Sequence, residues 1–225
     1  MRINMNWMKR LSYCCRISFK LLLFFFTVII LTSTANETNA DERPVILAFG
    51  DSLTAGFGVA ERENYPSRLQ SILKEEGRPH RVANGGVSGD TTAGGLRRIN
   101  WLMKLNPEIV ILELGANDGL RGLSLEEMHS NLEQIILICR KKNARVLLAG
   151  MKIPPNYGEE YTQGFEKVFY KLAEQYKLPL IPFFLEGVAA KEEWTRPDGI
   201  HPTGDGYKVV TETVWKNLKP MLKEK

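Results

Sequence analysis

Five short apolar runs punctuate the chain, and amphipathic stretches separate them. Val45–Phe49, Arg81–Asn84, Ile109–Leu114, Val146–Gly150 and Leu180–Phe183 read as strands. Tyr65–Glu76, Thr91–Lys104, Ser124–Lys142, Gly164–Tyr176 and Asp205–Leu222 read as helices. In the third helix, Ser124 followed by Glu127 has the form of a capping box. Leu125, Met128, Leu132, Ile135 and Ile136 then mark one face. Ile109–Leu112 is continuously apolar, the pattern of a strand covered on both sides. Strand–helix alternation of this kind predicts an α/β fold, a three-layer α/β/α sandwich of flavodoxin-like type with about five mostly parallel strands. One domain over residues 41–225 is expected. There is no internal repeat or low-complexity tract.

The alternation also places the chemistry. In open α/β sheets, ligands bind beyond the carboxyl ends of the strands. Ser52 follows the first strand, Gly89 the second, Asn117 the third, and the loop with Asp198 and His201 the fifth. All four positions therefore fall on one rim.

Composition changes the picture mainly at the amino terminus. Arg2, Lys9, Arg10, Arg16 and Lys20 precede an apolar run, Leu21–Leu31, in which Thr27 is the one polar residue. That run is short of the ~20 residues that span a bilayer and fits a signal-peptide core. Small-residue exits end at Ala35 and Ala40, with Ala40 preferred, so residues 1–40 are expected to be a signal peptide. Translation from Met5 or Met8 would shorten it, and an uncleaved membrane anchor is the competing reading. No Cys stands directly after the apolar run, in residues 32–40, which argues against a lipoprotein. The expected location is the periplasm or the exterior.

Removing residues 1–40 removes five basic groups and one acidic group, leaving 25 of each from the 30 and 26 in the full chain. The net charge of +4 thus belongs to the leader, and nucleic-acid binding loses its electrostatic argument. Cys139 is alone after the leader, inside an apolar helical pattern. It reads as a core residue, and no intrachain disulfide is available there. No Cys/His cluster has zinc spacing. No metal or cofactor is expected.

A serine hydroxyl needs a base within reach, and the base needs a partner that fixes its tautomer. Ser52, in Gly50-Asp51-Ser52-Leu53, stands at a strand-to-helix turn and is the nucleophile candidate. His201, in Asp198-Gly199-Ile200-His201-Pro202, is the candidate general base, with Asp198 to orient it. The backbone N–H groups of Ser52 and Gly89 and the side-chain amide of Asn117 are candidate oxyanion donors. Asp51, Asp90 and Asp118 read as turn or cap carboxylates. His80 and His129 have no carboxylate at a suggestive spacing.

Four segments carry a resemblance: Gly50–Leu53, Asn84–Thr91, Glu113–Asp118 and Asp198–Pro202. In this order they resemble the blocks of the SGNH (GDSL) hydrolase superfamily, from about Val45 to about Leu222. ELGANDGLRG, LPLIPFF and DGIHP are similar to the bacterial periplasmic thioesterase/lysophospholipase/arylesterase subgroup. Ala116 departs from it, since the subgroup tends to have Gly there. The resemblance implies an oxyanion hole of Ser52, Gly89 and Asn117. It also implies a Ser-His-Asp esterase acting through an acyl-enzyme on acyl esters and thioesters, lysophospholipids and aryl esters included. Leu120, Ile153, Pro154 and Tyr157, on two loops of the same rim, are candidate substrate-binding residues. The expected partner is a small acyl ester or lipid, with transient contact to a membrane surface. A monomer is expected. The alternatives are a carbohydrate acetylesterase of the same superfamily and a non-catalytic, membrane-anchored binding module.

Overall fold

The chain alternates strand and helix in the order β1 (Val45–Gly50), α1 (Ser52–Ala55), α2 (Tyr65–Glu75), β2 (Arg81–Gly86), α3 (Thr92–Leu102), β3 (Ile109–Glu113), α4 (Ala116–Leu120), α5 (Leu125–Lys141), β4 (Arg145–Ala149), α6 (Glu159–Tyr176), β5 (Leu180–Ile181) and α7 (Gly204–Leu218). These elements come from a computed structural model that describes residues 42–222. The expected leader, its exits at Ala35 and Ala40, and the alternative starts at Met5 and Met8 lie outside the described residues.

The sheet order is β2-β1-β3-β4-β5, and every neighbouring pair is parallel. Every residue of β1 and β3 is buried, because helices cover both faces of the centre. At the edge, β2 is only half covered, which suits its Arg81 and Asn84. α2 packs against α7, while α3 packs on α5 and α5 on α6. Those are the two outer layers required by right-handed crossovers leaving β1 and β3 in opposite directions. The same reversal opens a crevice between the carboxyl ends of β1 and β3.

α5 shows how a sequence face becomes core. Met128, Leu132, Ile135, Ile136 and Cys139 are all buried. Burial pushes the Cys139 thiol up to about 12, so it stays protonated at neutral pH. Ser124 caps the helix by accepting the Glu127 N–H at 3.1 Å, while its hydroxyl donates to Glu126.

Several boundaries differ from the sequence reading. β5 is two residues long, because Pro182 has no N–H to extend the ladder. α3 ends at Leu102 and tightens into a 3₁₀ turn, Met103–Leu105, closed by Asn106 in the left-handed region at φ 47°. α7 likewise gives way to a 3₁₀ turn, Lys219–Met221, around Pro220. α6 begins at Glu159, earlier than Gly164. Gly164 is an interior contact, since a Cβ there would stand 2.8 Å from Leu125 Cδ1. α1 and α4 span four and five residues, too few for a helical period to register.

His80 also differs from its sequence reading. It is buried, and its Nε2 stands 3.3 Å from Glu108 Oε2. Arg145 Nη2 donates to the other Glu108 oxygen at 2.6 Å. Local spacing could not show this partner. His80 and Glu108 each precede a strand, and the parallel sheet brings them together on the rim opposite Ser52.

Candidate active site

Ser52 is the first residue of α1, immediately beyond the end of β1. Asp51 caps that helix, its Oδ1 accepting the Leu53 N–H at 3.0 Å. A close-packed floor of glycines lies below. Gly50 pairs with Gly86 across β1 and β2. A Cβ on Gly50 would meet Thr54 Oγ1 at 2.1 Å and Glu113 Oε2 at 2.3 Å.

His201 and Asp198 share one tight loop between β5 and α7. An antiparallel bridge between Thr195 and Pro202 closes it, and Gly199 turns it at φ 71°. Asp198 Oδ1 accepts the N–H groups of Ile200 and His201, each at 2.9 Å. Its Oδ2 stands 3.0 Å from His201 Nδ1. His201 Nε2 in turn lies 2.8 Å from Ser52 Oγ. Partial burial pushes the Asp198 carboxyl up. The N–H groups of His201 and Ile200, then the imidazole, outweigh it and hold the carboxyl at about 2. Asp198 is therefore ionised at neutral pH. As a pure acceptor it requires a proton on His201 Nδ1, which leaves Nε2 free to accept from Ser52.

Opposite the imidazole lie the donor candidates. Gly89 is in the left-handed region at φ 79°, a conformation that favours glycine. Among the described residues, neither the Ser52 N–H nor the Gly89 N–H has an intramolecular acceptor. Asn117, in the first turn of α4, donates one amide N–H to Asp51 Oδ2 at 3.0 Å. Ser52, Gly89, Asn117 and His201 line one cavity of about 270 Å³ with Phe57, Leu120 and Ile200. The Phe57 ring lies against the imidazole, centroids 4.8 Å apart.

The four substrate-binding candidates separate. Leu120 lines this cavity. Tyr157 donates to the Leu120 carbonyl at 2.7 Å and lines a neighbouring cleft of about 570 Å³ with Leu123 and Tyr161. Ile153 packs against the core, its Cγ2 facing the Gly119 backbone, and Pro154 is exposed at the start of a 3₁₀ turn.

Beneath the cavity is a polar layer that the sequence reading does not assemble. Arg98 donates to Gly50 O at 2.8 Å, Gly85 O at 2.6 Å and Asp90 at 2.6 Å, and stacks on Phe49 at 4.4 Å. One guanidinium thus ties the ends of β1 and β2 to the residue after Gly89. Glu113 Oε2 accepts from Thr54 Oγ1 at 2.8 Å and from the Asp51 N–H at 3.3 Å. Burial, then the Asp51 charge, pushes the Glu113 carboxyl well above its ordinary value. Burial also raises Asp51, to about 6, against the Leu53 and Asn117 hydrogen bonds. Asp118 is buried too, accepting Thr92 Oγ1 at 2.6 Å and the Thr92 N–H at 2.9 Å. No group of metal-ligating side chains occurs among the described residues.

Comparison with known proteins agrees with this architecture. Esterase TesA of Pseudomonas aeruginosa is 42% identical over 178 residues, covering 79% of this chain and 89% of that protein. Thioesterase 1/protease 1/lysophospholipase L1 of Escherichia coli K12 is 35% identical over 205 residues, 91% of this chain and 95% of its own length. The crystal structure of TesA superposes with a TM-score of 0.77 at 41% identity, covering 79% of this chain and 99% of that one. The GDSL-like lipase/acylhydrolase family profile matches residues 48–209, from inside β1 into α7. With these matches behind the rim of Ser52, Gly89, Asn117 and His201, the chain belongs to the GDSL-like lipase/acylhydrolase family and is an esterase of that family.

Proposed function

We propose that this esterase is exported and hydrolyses acyl esters and thioesters, of lysophospholipid, aryl-ester and acyl-thioester type, through an acyl-enzyme on Ser52. The observation that carries the mechanism is the hydrogen-bonded series Ser52 Oγ, His201 Nε2, His201 Nδ1, Asp198 Oδ2. Ser52 Oγ attacks the acyl carbon while His201 Nε2 takes its proton. Asp198 stabilises the imidazolium that results. The carbonyl oxygen becomes an oxyanion and receives the N–H groups of Ser52 and Gly89 and the Asn117 amide. Collapse breaks the bond to the alcohol or thiol, which leaves with the His201 proton. Water, deprotonated by the same imidazole, then attacks the acyl-enzyme and releases the acid and free Ser52.

A lipid-like acyl group suits the surroundings. Phe57 and Ile200 at the cavity mouth are exposed apolar side chains, and Val87 stands beside Ser88 of the lining. They support transient contact of a monomer with a membrane or micelle surface.

The test is a chain-length series of p-nitrophenyl and lysophospholipid esters against acetylated sugars. Activity rising from acetyl to medium chains is expected. Turnover confined to acetylated sugars would assign the chain to carbohydrate de-acetylation instead, and no turnover at all would favour a non-catalytic module. Export has its own measurement. Mass spectrometry of protein from the producing cell is expected to show an amino terminus near Asn36 or Asp41. An intact terminus on membrane-bound protein would favour the anchor.

A further inference from the structure

We infer that Asp51 is the positioning residue of the oxyanion hole: its buried carboxylate holds the Asn117 amide in the one orientation that offers an N–H to the cavity. The inference rests on the esterase reading above. The two Asp51 oxygens act on opposite sides of the site. Oδ1 accepts the Leu53 N–H at 3.0 Å and fixes the helix that begins with Ser52. Oδ2 accepts from Asn117 Nδ2 at 3.0 Å, across 66 residues of sequence. One side chain thereby ties the nucleophile's helix to the donor expected to receive the oxyanion.

The amide orientation follows from donor and acceptor chemistry. A carboxylate only accepts, so the atom of Asn117 that faces it must be nitrogen. That nitrogen carries a second hydrogen, and Asn117 lines the same cavity as Ser52 and Gly89. Turned over, the amide would present its oxygen to Asp51 and to the developing oxyanion together, repelling both. Asp51 is itself held in place. Its N–H donates to Glu113 Oε2 at 3.3 Å, an oxygen that also accepts from Thr54 at 2.8 Å. At 1% exposure it has no solvent route to a different arrangement. Asn has the shape of Asp and caps a helix as well as Asp does, which makes Asp51→Asn an informative change. The Leu53 bond survives, whereas the second atom becomes an NH₂ facing the NH₂ of Asn117. The clash is relieved by turning Asn117 over.

The experiment measures kcat and KM at pH 8 on p-nitrophenyl butyrate for the wild type, Asp51→Asn, Asn117→Ala and the double variant, with a thermal melt of each. Asp51→Asn is expected to lower kcat roughly 10²–10³-fold, the loss of one preorganised donor, with KM within about threefold. The double variant is expected to be no slower than Asn117→Ala, because Asp51 acts through that amide. An equal further loss on the Asn117→Ala background would overturn the proposal. So would wild-type kcat in Asp51→Asn with a lowered melting temperature, which is the signature of a helix cap and nothing more. If Asp51→Asn does not fold, Asp51→Ser retains a capping oxygen and leaves Asn117 unheld. It is expected to show the same kcat loss and the same absence of further loss in the Asn117→Ala background. Asn117→Ala alone reports on the oxyanion hole itself, so failure of that reading is distinguishable from failure of the role given to Asp51.

Discussion

Ser52→Ala is expected to lower kcat by at least about 10⁴-fold while the protein stays folded. Nucleophile and base act as one unit, so removing Oγ removes the acyl-enzyme route entirely. What remains is whatever the oxyanion donors and binding contribute to attack by water. The structural cost is small by comparison. Ser52 Oγ meets His201 Nε2 at 2.8 Å, at the mouth of a cavity where water replaces the lost partner. One such hydrogen bond is worth about 1 kcal/mol, or roughly 2–4 °C of melting temperature in a domain of this size. Hydrolysis of p-nitrophenyl butyrate and a thermal melt on the same preparation separate the two effects. A phosphonate that labels the wild type one-to-one is expected to leave Ser52→Ala unlabelled. A folded Ser52→Ala protein with wild-type turnover would remove Ser52 from the mechanism.

The fold was legible where burial is two-sided. The apolar runs at Val45 and Ile109 became β1 and β3, the fully buried centre of the sheet. The rim was legible for the same reason, since parallel strands all present their carboxyl ends to one side. Ser52, Gly89, Asn117 and His201 could thus be placed together without coordinates. What the sequence hid is tertiary. The Asp51–Asn117 bond joins β1's end to α4, and the Arg98 clamp joins the ends of β1 and β2 to Asp90, with no local period or spacing to announce either. His80 and Glu108 are of the same kind, a pair that meets across the start of β1 because β2 and β3 flank that strand. Gly164 misled because glycine more often ends a helix than sits inside one. Here it lets α6 approach Leu125. Ile153 and Pro154 were placed by loop position. That guide cannot distinguish a side chain turned to the core from one turned to the rim.

Gly86→Ala is expected to damage both stability and turnover, although Gly86 touches no substrate and is far from Ser52 in sequence. A Cβ there would stand 2.2 Å from Ala55 N and 2.7 Å from both Ala55 Cα and Thr54 C. All three atoms are backbone of α1, so no side chain can turn aside. The helix must shift by about 1 Å to restore ordinary contact, and Ser52 is its first residue. Overpacking of this kind costs about 1–3 kcal/mol or more, which lowers the melting temperature by roughly 2–12 °C. Displacing Oγ from its 2.8 Å approach to His201 by that distance is expected to reduce kcat about 10²-fold. Gly122→Ala supplies the contrast. Gly122 has φ 62° and nothing within 4 Å of a built Cβ, so it carries backbone strain without overpacking. It is expected to lose about 1 kcal/mol of stability and little turnover. If Gly86→Ala matched Gly122→Ala in both melting temperature and kcat, the close seating of α1 on β2 would not be what holds the nucleophile in place.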